Sequence, residues 1–212
     1  MKYPSLEAFL GQVADRNPGQ VVVTVSDPSG TVFDKEGCSP AKLAELMEVK
    51  NKHYGRVEEF AKRVGAEFIA GVMPWGVPVD VALPCATQNE LSAEDAGTLV
   101  NNGVVCVVEG ANMPSTIDAI KVFEEGGVLF APGKASNAGG VATSGLEMSQ
   151  NAMRLNWLRE EVDARLLTIM RSIHKSCMQY GRRKDGSISY IDGANVAGFV
   201  KVADAMLAQG VI

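Results

Sequence analysis

The spacing of apolar residues changes several times along the chain, and each change predicts a new element. Apolar residues recur at helical intervals near the N-terminus, which predicts a helix over 5–16. The continuous β-branched run VVVTV at 21–25 follows, and such a run is typical of a strand buried on both faces. The helical period returns after Ser39-Pro40, where proline takes the first position of a predicted helix over 40–52.

Strands and helices alternate from residue 21 to about residue 131. Ser92 with Asp95, and Ser115 with Asp118, have the spacing of capping boxes at two of the helix starts. Because such alternation is typical of parallel sheets, a parallel α/β sheet is predicted over 21–131. The remaining helices are predicted at 56–64, 93–101 and 116–125, and the remaining strands at 67–70, 79–84, 104–109 and 128–131.

Beyond residue 136 the pattern is only helical. It predicts a helix over 136–151, a long helix with an apolar face from Leu158 to Cys177, and a final helix over 194–208. The polar segment 181–189 is predicted to be an exposed loop between the last two helices. The predicted fold class is therefore α/β: a parallel sheet flanked by helices, followed by an all-helical C-terminal segment.

The composition is ordinary for a globular protein and disfavours several functional classes. A net charge of −5 over 212 residues argues against a partner surface for nucleic acid or an anionic membrane. No apolar run is long enough to span a bilayer, and the N-terminal segment lacks the apolar core of a signal peptide. The four cysteines form no CxxC pair, so reduced thiols and a cytoplasmic location are predicted rather than zinc or disulfides.

Polar side chains follow four of the predicted strands. In open parallel sheets, ligands bind beyond the carboxyl ends of the strands. Each residue alone fits a turn or a helix cap, but their recurrence at one edge favours a shared cleft for a polar, partly planar ligand. The set comprises Ser26 and Asp27, then Thr87, Gln88 and Asn89, then Asn112, then Lys134 and Asn137.

Asp27 has two interpretations. It stands where the acidic residue that hydrogen-bonds a ribose 2′-hydroxyl follows a strand. The tetrapeptide Asp27-Pro28-Ser29-Gly30 is equally well suited to a plain turn. Downstream, Lys50, His53 and Arg56 either hold a 2′-phosphate or merely favour a helix C-terminus electrostatically.

Other chemistries have no sequence support. The chain contains no GxSxG nucleophile elbow, no GxGxxG fingerprint and no GxxxxGK[ST] phosphate loop. Its histidines, cysteines and carboxylates show no metal-ligand spacing, so no metal site is predicted.

Four long segments carry a specific resemblance: PCATQNEL at 84–91, EGANMPST at 109–116, APGKASNAGGVATSGLEMSQN at 131–151 and GANVAGFVKVADAM at 193–206. Together they closely resemble the hexameric, NADP-dependent glutamate dehydrogenases. The resemblance implies that 1–20 is the start of the family's substrate domain. It also implies an incomplete, Rossmann-like dinucleotide-binding domain over 21–135, with C-terminal helices over 136–212 that close the cleft.

The resemblance also implies roles for individual residues. The family interconverts glutamate with 2-oxoglutarate and ammonium using NADP, so Ser144 would hydrogen-bond the substrate's side-chain carboxylate. Val141 would pack on its carbon chain, with Asn137 close by. His53 stands where a close relative carries arginine, and Asp27 beside a 2′-phosphate needs cations to offset its charge. The cofactor residues implied are Asp27, Lys50 and Arg56 at the phosphate, Ala86, Thr87 and Gln88 along the groove, and Asn112 near the nicotinamide.

The glycines of the 131–151 segment fit such a site. Gly139 and Gly140 stand at a helix start, where the absence of a side chain lets a ligand approach the backbone N–H groups closely. Gly145 is expected to let the same helix pack tightly against a neighbour.

The family segments that hold the catalytic lysine, the catalytic aspartate and the glycine fingerprint have no counterpart between Gln20 and Val21. The chain alone is therefore expected to be inactive or impaired. Alternatives are a non-catalytic nucleotide-binding or assembly module, an internally deleted product, or a relative of leucine or phenylalanine dehydrogenases. The family's homohexamer implies self-association.

Overall fold

The computed structural model describes residues 21–210, and the helix predicted at 5–16 lies outside them. Contacts divide the chain into two compact units, with the boundary after Val77.

The first unit contains an antiparallel sheet of three strands in the order β1-β2-β3. Strand β1 (Thr24–Asp27) turns into β2 (Gly30–Phe33), which also pairs with β3 (Glu67–Ala70). The prediction of one parallel sheet across 21–131 is therefore wrong for this unit. Strand β1 is also half-buried rather than buried on both faces.

The hairpin turn explains this difference. Asp27 pairs with Gly30 across the turn, and Pro28 and Ser29 lie between them, a composition that favours turns. Gly30 has a φ of +146°, and a Cβ there would lie 2.3 Å from the carbonyl oxygen of Ile69. Only glycine fits this close approach to β3. The chain therefore turns back at this point, and residues 30–33 form β2, a strand that the apolar pattern did not predict.

Two helices cover this sheet. Helix α1 (Pro40–Met47) is capped by Ser39, whose hydroxyl accepts a hydrogen bond from the N–H of Lys42, and it continues as a π-helical turn over Glu48–Lys52. Helix α2 (Val57–Val64) ends at Gly65 in the left-handed conformation, as predicted for a glycine after a helix. Six buried residues form the core of the unit: Val32, Leu46, Val49, Val57, Phe60 and Ala61.

The second unit contains the parallel sheet that the sequence predicts. Strands β4 (Val81–Ala82), β5 (Cys106–Val108) and β6 (Leu129–Ala131) pair in parallel in the order β4-β5-β6. Helices α3 (Ala93–Asn101) and α4 (Ile117–Glu125) connect them and pack against each other. The predicted α/β class, with a parallel sheet, flanking helices and a helical C-terminal segment, is confirmed.

Of the two predicted capping boxes, the one at the start of α3 is correct and the one at the start of α4 is wrong. Ser92 and Asp95 form the predicted reciprocal capping box of α3, with hydrogen bonds of 2.9 and 3.2 Å. At α4 the cap is Thr116, which accepts from the N–H of Ala119, and the predicted Ser115 box is absent. Ser115 instead lies buried in the loop, where its N–H donates to the carboxylate of Glu109.

The C-terminal segment is helical, as predicted. A short helix α5 (Gly133–Ser136) precedes α6 (Gly139–Ala152), and the long α7 (Arg159–Tyr180) packs against α8 (Tyr190–Gln209). Helix α8 begins four residues earlier than predicted because Ser189 caps it, accepting from the N–H of Asp192. Cys177 on α7 is buried, whereas Leu158, predicted to begin the apolar face of this helix, lies just before α7 and is exposed. None of the helices described over 21–210 is long and apolar enough to cross a membrane.

Candidate functional site

Three loops meet at the carboxyl edge of the parallel sheet. The N–H of Gly110, after β5, donates to the carbonyl of Pro84, after β4, at 2.9 Å. The N–H of Asn89 donates to the carbonyl of Met113 at 3.0 Å. Asn89 and Met113 both have a positive φ, of 56° and 49°, which non-glycine residues rarely adopt. Strained backbone of this kind is concentrated at binding sites, so this edge is the candidate site of the second unit.

Asn112 and Asn137 lie together at this edge. The side-chain amide of Asn137, at the end of α5, donates to the Oδ1 of Asn112 at 2.8 Å and to the carbonyl of Ala111 at 3.1 Å. Asn112 is exposed and Asn137 is half-buried, so the pair presents amide groups to solvent in a fixed orientation. The structure thus brings together two of the predicted site residues from loops 25 positions apart in the chain.

Glu109 organises this edge and was missed by the sequence analysis. Its side chain is only 4% exposed, and its two oxygens accept from the N–H of Ser115 at 3.2 Å and of Gly133 at 2.6 Å. Its backbone carbonyl accepts from the hydroxyl of Ser136. The carboxylate therefore ties the loop after β5 to the loop after β6. A charged residue that ends a buried apolar run was the available signal, because buried charges require partners.

The loop after β4 holds Ala86, Thr87 and Gln88, all exposed. The N–H of Ala86 donates to Glu90 at 2.8 Å. Burial raises the pKa of Glu90, while hydrogen bonds from the N–H groups of Ala86 and Thr87 act in the opposite direction. The loop is held by its own carboxylate, and the side chains of Thr87 and Gln88 face solvent.

The start of α6 carries the other predicted residues. Val141 is 74% exposed and Ser144 is half-buried. Within the described chain, a Cβ at Gly140 or Gly145 would meet no atom within 4 Å, so the expected tight packing at Gly145 is not present. A wide groove of about 520 Å³ lies between α6 and α7, but its lining contains none of the predicted residues.

In the first unit, Asp27 joins the hairpin turn to the helices. Its carboxylate accepts from Lys50 Nζ at 2.8 Å, from the N–H of Val57 at 3.1 Å, and from the N–H and hydroxyl of Ser29. Burial alone would raise the pKa of Asp27, but the hydrogen bonds from Lys50, Ser29 and Val57 outweigh it and hold the pKa well below its usual range. Asp27 is therefore both a turn residue and an ionised partner of Lys50.

The basic residues of this segment, Lys50, His53 and Arg56, differ in their pairing. Lys50 also donates to the carbonyl of Gly55 at 3.1 Å, so its ammonium offsets the charge of Asp27 directly. His53 Nε2 lies 3.5 Å from a carboxylate oxygen of Glu48. Arg56 is exposed at the N-terminus of α2. The electrostatic condition for placing Asp27 beside a phosphate is thus met by Lys50.

Metal chemistry gains no support from the described residues. Between 21 and 210, no group of three or more histidine, cysteine or acidic side chains is arranged to hold a metal ion. The four cysteines, all in this part of the chain, are free thiols.

Comparison with known proteins decides the family. A sequence profile of the Glutamate/Leucine/Phenylalanine/Valine dehydrogenase family matches residues 10–210. The chain belongs to this family. It is 61% identical over 194 residues to the NADP-specific glutamate dehydrogenase of Salmonella typhimurium, a match that covers 92% of this chain and 43% of that protein. The NADP-specific enzyme of Escherichia coli is 59% identical with the same coverage.

Solved structures agree with this assignment. The glutamate dehydrogenase of Plasmodium falciparum superposes with a TM-score of 0.90 at 40% identity, covering 97% of this chain and 44% of that one. The family resemblance inferred from the four motifs is confirmed. The chain spans less than half the length of these relatives, and the relatives also include an NAD-specific glutamate dehydrogenase from Bacteroides fragilis, 52% identical.

Proposed function

We propose that this chain contributes NADP(H) and substrate binding to the reversible oxidative deamination of glutamate to 2-oxoglutarate and ammonium. The observation that carries the proposal is the carboxyl-edge cluster, in which Asn137 donates to Asn112 beside the exposed loop 86–88. Ligands of open α/β sheets bind at this edge. Relatives of about 60% identity named as NADP-specific glutamate dehydrogenases support NADP as the cofactor.

Residues of the second unit are assigned to the cofactor and the substrate. Ala86, Thr87 and Gln88 would line the cofactor groove, and the amides of Asn112 and Asn137 would orient the nicotinamide end. At α6, Ser144 would donate to the side-chain carboxylate of the substrate and Val141 would contact its carbon chain. These last two side chains are accessible, as contact with a substrate requires.

Residues of the first unit are assigned to the 2′-phosphate. Lys50 and Arg56 would contact the phosphate, with Lys50 also offsetting the charge of Asp27 and with His53 between the two in the sequence. Asp27 would accept from the ribose or from Lys50, since its carboxylate already holds the Lys50 ammonium at 2.8 Å. This pairing supports the proposal because it prevents Asp27 from repelling a phosphate.

In the described part of the chain, the titratable groups at the site are already engaged or buried, and none is free for the proton steps: Glu90, for example, accepts from the N–H groups of Ala86 and Thr87. When bound, NADP(H) supplies the hydride carrier, but a neighbouring side chain must also take and return protons. Asparagine, glutamine, threonine and serine side chains bind and orient but do not titrate. Glu109 is engaged by two backbone N–H groups, Lys134 donates to Asn195, and burial raises the pKa of the Cys85 thiol. We therefore propose that the chain alone is inactive or impaired.

A non-catalytic nucleotide-binding module is the second candidate. The same absence of a proton-transfer group favours it, since binding needs only the residues that the edge already contains. Self-association is also proposed, as expected from the family's homohexamer, and the exposed apolar residues of α8, among them Phe199 and Leu207, support it. A cytoplasmic location completes the proposal.

Calorimetric titration with NADPH tests the assignment of the edge. Asn137→Ala removes two hydrogen bonds and the orientation of Asn112, so NADPH should bind about 5–30-fold more weakly, for a loss of about 1–2 kcal/mol. Asn151→Ala, at an exposed asparagine near the end of α6, is the matched control and should bind as the parent chain does. Equal affinity of the two variants would contradict the assignment.

A further inference from the structure

Tyr54 combines two features that a merely structural residue rarely has. Its side chain is 86% exposed, although tyrosine normally buries its ring. Its φ is +51°, in the left-handed region that favours glycine and that bulky residues seldom adopt. The left-handed φ itself is common directly after the C-cap of a helix, and Tyr54 follows the C-cap His53. Glycine or asparagine is the usual residue there, so the helix end does not explain an exposed tyrosine.

The backbone around Tyr54 is held on both sides. The N–H of His53 donates to the carbonyl of Glu48 at 3.2 Å, and the N–H of Gly55 donates to the carbonyl of Val49 at 2.9 Å. The carbonyl of Gly55 accepts from Lys50 Nζ at 3.1 Å. These bonds fix the turn between the π-helical segment and α2, so the ring projects from a defined backbone.

Basic residues lie close to Tyr54 in the sequence. Lys50, His53 and Arg56 belong to the same turn, and Lys50 is the proposed partner of the 2′-phosphate. In NADP this phosphate is carried by the ribose that also bears the adenine base. A solvent-exposed aromatic ring close to phosphate-binding cations is the arrangement on which nucleotide bases stack, because every base has a π-face.

We propose that Tyr54 is the platform on which the adenine ring of the dinucleotide stacks. The proposal rests on the proposed NADP function and extends it to a residue that no motif assigned. The ring would provide one apolar face for the base, while the cations hold the phosphate on the same nucleoside.

Adenosine 2′,5′-bisphosphate is the probe that tests this, since it contains the base and the 2′-phosphate without nicotinamide. Its affinity for the full chain is measured by calorimetry, together with that of NADPH. Tyr54→Phe should bind within about threefold of the parent chain. Tyr54→Ala should bind roughly tenfold to hundredfold more weakly, the range expected for loss of one stacked base.

Two further variants keep the result interpretable. Tyr54→Gly suits the positive φ, so it should be at least as stable to heat as the parent chain while losing the same affinity as Tyr54→Ala. Ile117→Ala removes a comparably exposed apolar side chain in the second unit and should leave binding unchanged.

The outcomes separate this proposal from the one on which it rests. If the parent chain binds both ligands and Tyr54→Ala binds them equally well, the stacking platform is refuted and NADP binding stands. A loss of affinity in Tyr54→Phe equal to that in Tyr54→Ala would also refute it, because phenylalanine retains the ring. If the parent chain binds neither ligand, the NADP function and the platform fail together.

Discussion

Replacement of Glu109 tests how the carboxyl edge is assembled. Its carboxylate is buried and accepts from the N–H groups of Ser115 and Gly133, in the loops after β5 and β6. Glutamine has nearly the same shape but only one acceptor oxygen. Glu109→Gln therefore leaves one buried backbone N–H without a partner and directs an amide N–H₂ at it.

The expected cost follows from the number of partners lost. An unsatisfied buried donor costs about 1–3 kcal/mol, so Glu109→Gln should lower the free energy of unfolding by about 1–3 kcal/mol. Glu109→Ala leaves both N–H groups unpaired and should cost about 2–6 kcal/mol, a large part of the about 5–15 kcal/mol of a typical domain. Each kcal/mol lowers Tm by about 2–4 °C in a chain of this size.

Urea unfolding followed by circular dichroism provides the assay, with a thermal scan as a check. Glu125→Gln is the matched control, because Glu125 is an exposed carboxylate on α4 and its replacement should change stability by less than about 0.5 kcal/mol. If Glu109→Gln were as stable as this control, the carboxylate would not hold the two loops, and the account of the edge would be refuted.

Three further predictions concern stability. Gly193→Ala should lower the free energy of unfolding by about 1–3 kcal/mol, because its Cβ would lie 2.1 Å from the carbonyl oxygen of Cys177. Gly198→Ala, whose Cβ would meet nothing within 4 Å, should be neutral or stabilising by about 0.5–1 kcal/mol, and equal urea midpoints for the two variants would contradict this. Thr116→Ala should lower the free energy of unfolding by about 1 kcal/mol because α4 loses its cap. Ser115→Ala should change it little, because the buried Ser115 hydroxyl has no hydrogen-bond partner among the described residues. The reverse order of Tm values in thermal scans would support Ser115 as the cap instead. Folding lowers the pKa of Asp27, so its contribution to the free energy of unfolding is complete above about pH 4 and is lost as the pH falls through the folded pKa. Asp27→Asn should therefore flatten the acid limb of the curve of stability against pH. An unchanged acid limb would refute the role of Asp27.

The parts of the fold that could be predicted are those with local signals. The apolar runs at 104–109 and 128–131 predicted β5 and β6, and the Ser92–Asp95 spacing predicted the start of α3. The convergence of Asn112 and Asn137 followed from the rule that parallel strands end at one edge, and the structure places the two amides in contact.

The parts that could not be predicted depend on contacts distant in sequence. Strand β2 is only four residues long, and its pairing with β3 depends on the close approach at Gly30. Ser115 and Thr116 are adjacent residues with hydroxyl side chains, and the sequence alone does not show which one caps α4. In the structure the backbone N–H of Ser115 donates to Glu109, and the hydroxyl of Thr116 caps the helix. Glu109 is a single buried carboxylate and belongs to no repeating apolar pattern, so hydrophobic patterning does not predict that its side chain joins two loops.

The central proposal is that the chain binds the cofactor although residues 21–210 provide no free proton-transfer group for catalysis, and it has one direct test. NADPH binding is measured by calorimetry on the full chain, and NADPH oxidation is followed in the same preparation with 2-oxoglutarate and ammonium. The account predicts binding with turnover absent or strongly reduced. Turnover comparable to that of the full-length relatives would contradict the proposed impairment. If the chain shows no NADPH binding and no turnover, the proposed cofactor site is contradicted, and the interpretation as an internally deleted product remains.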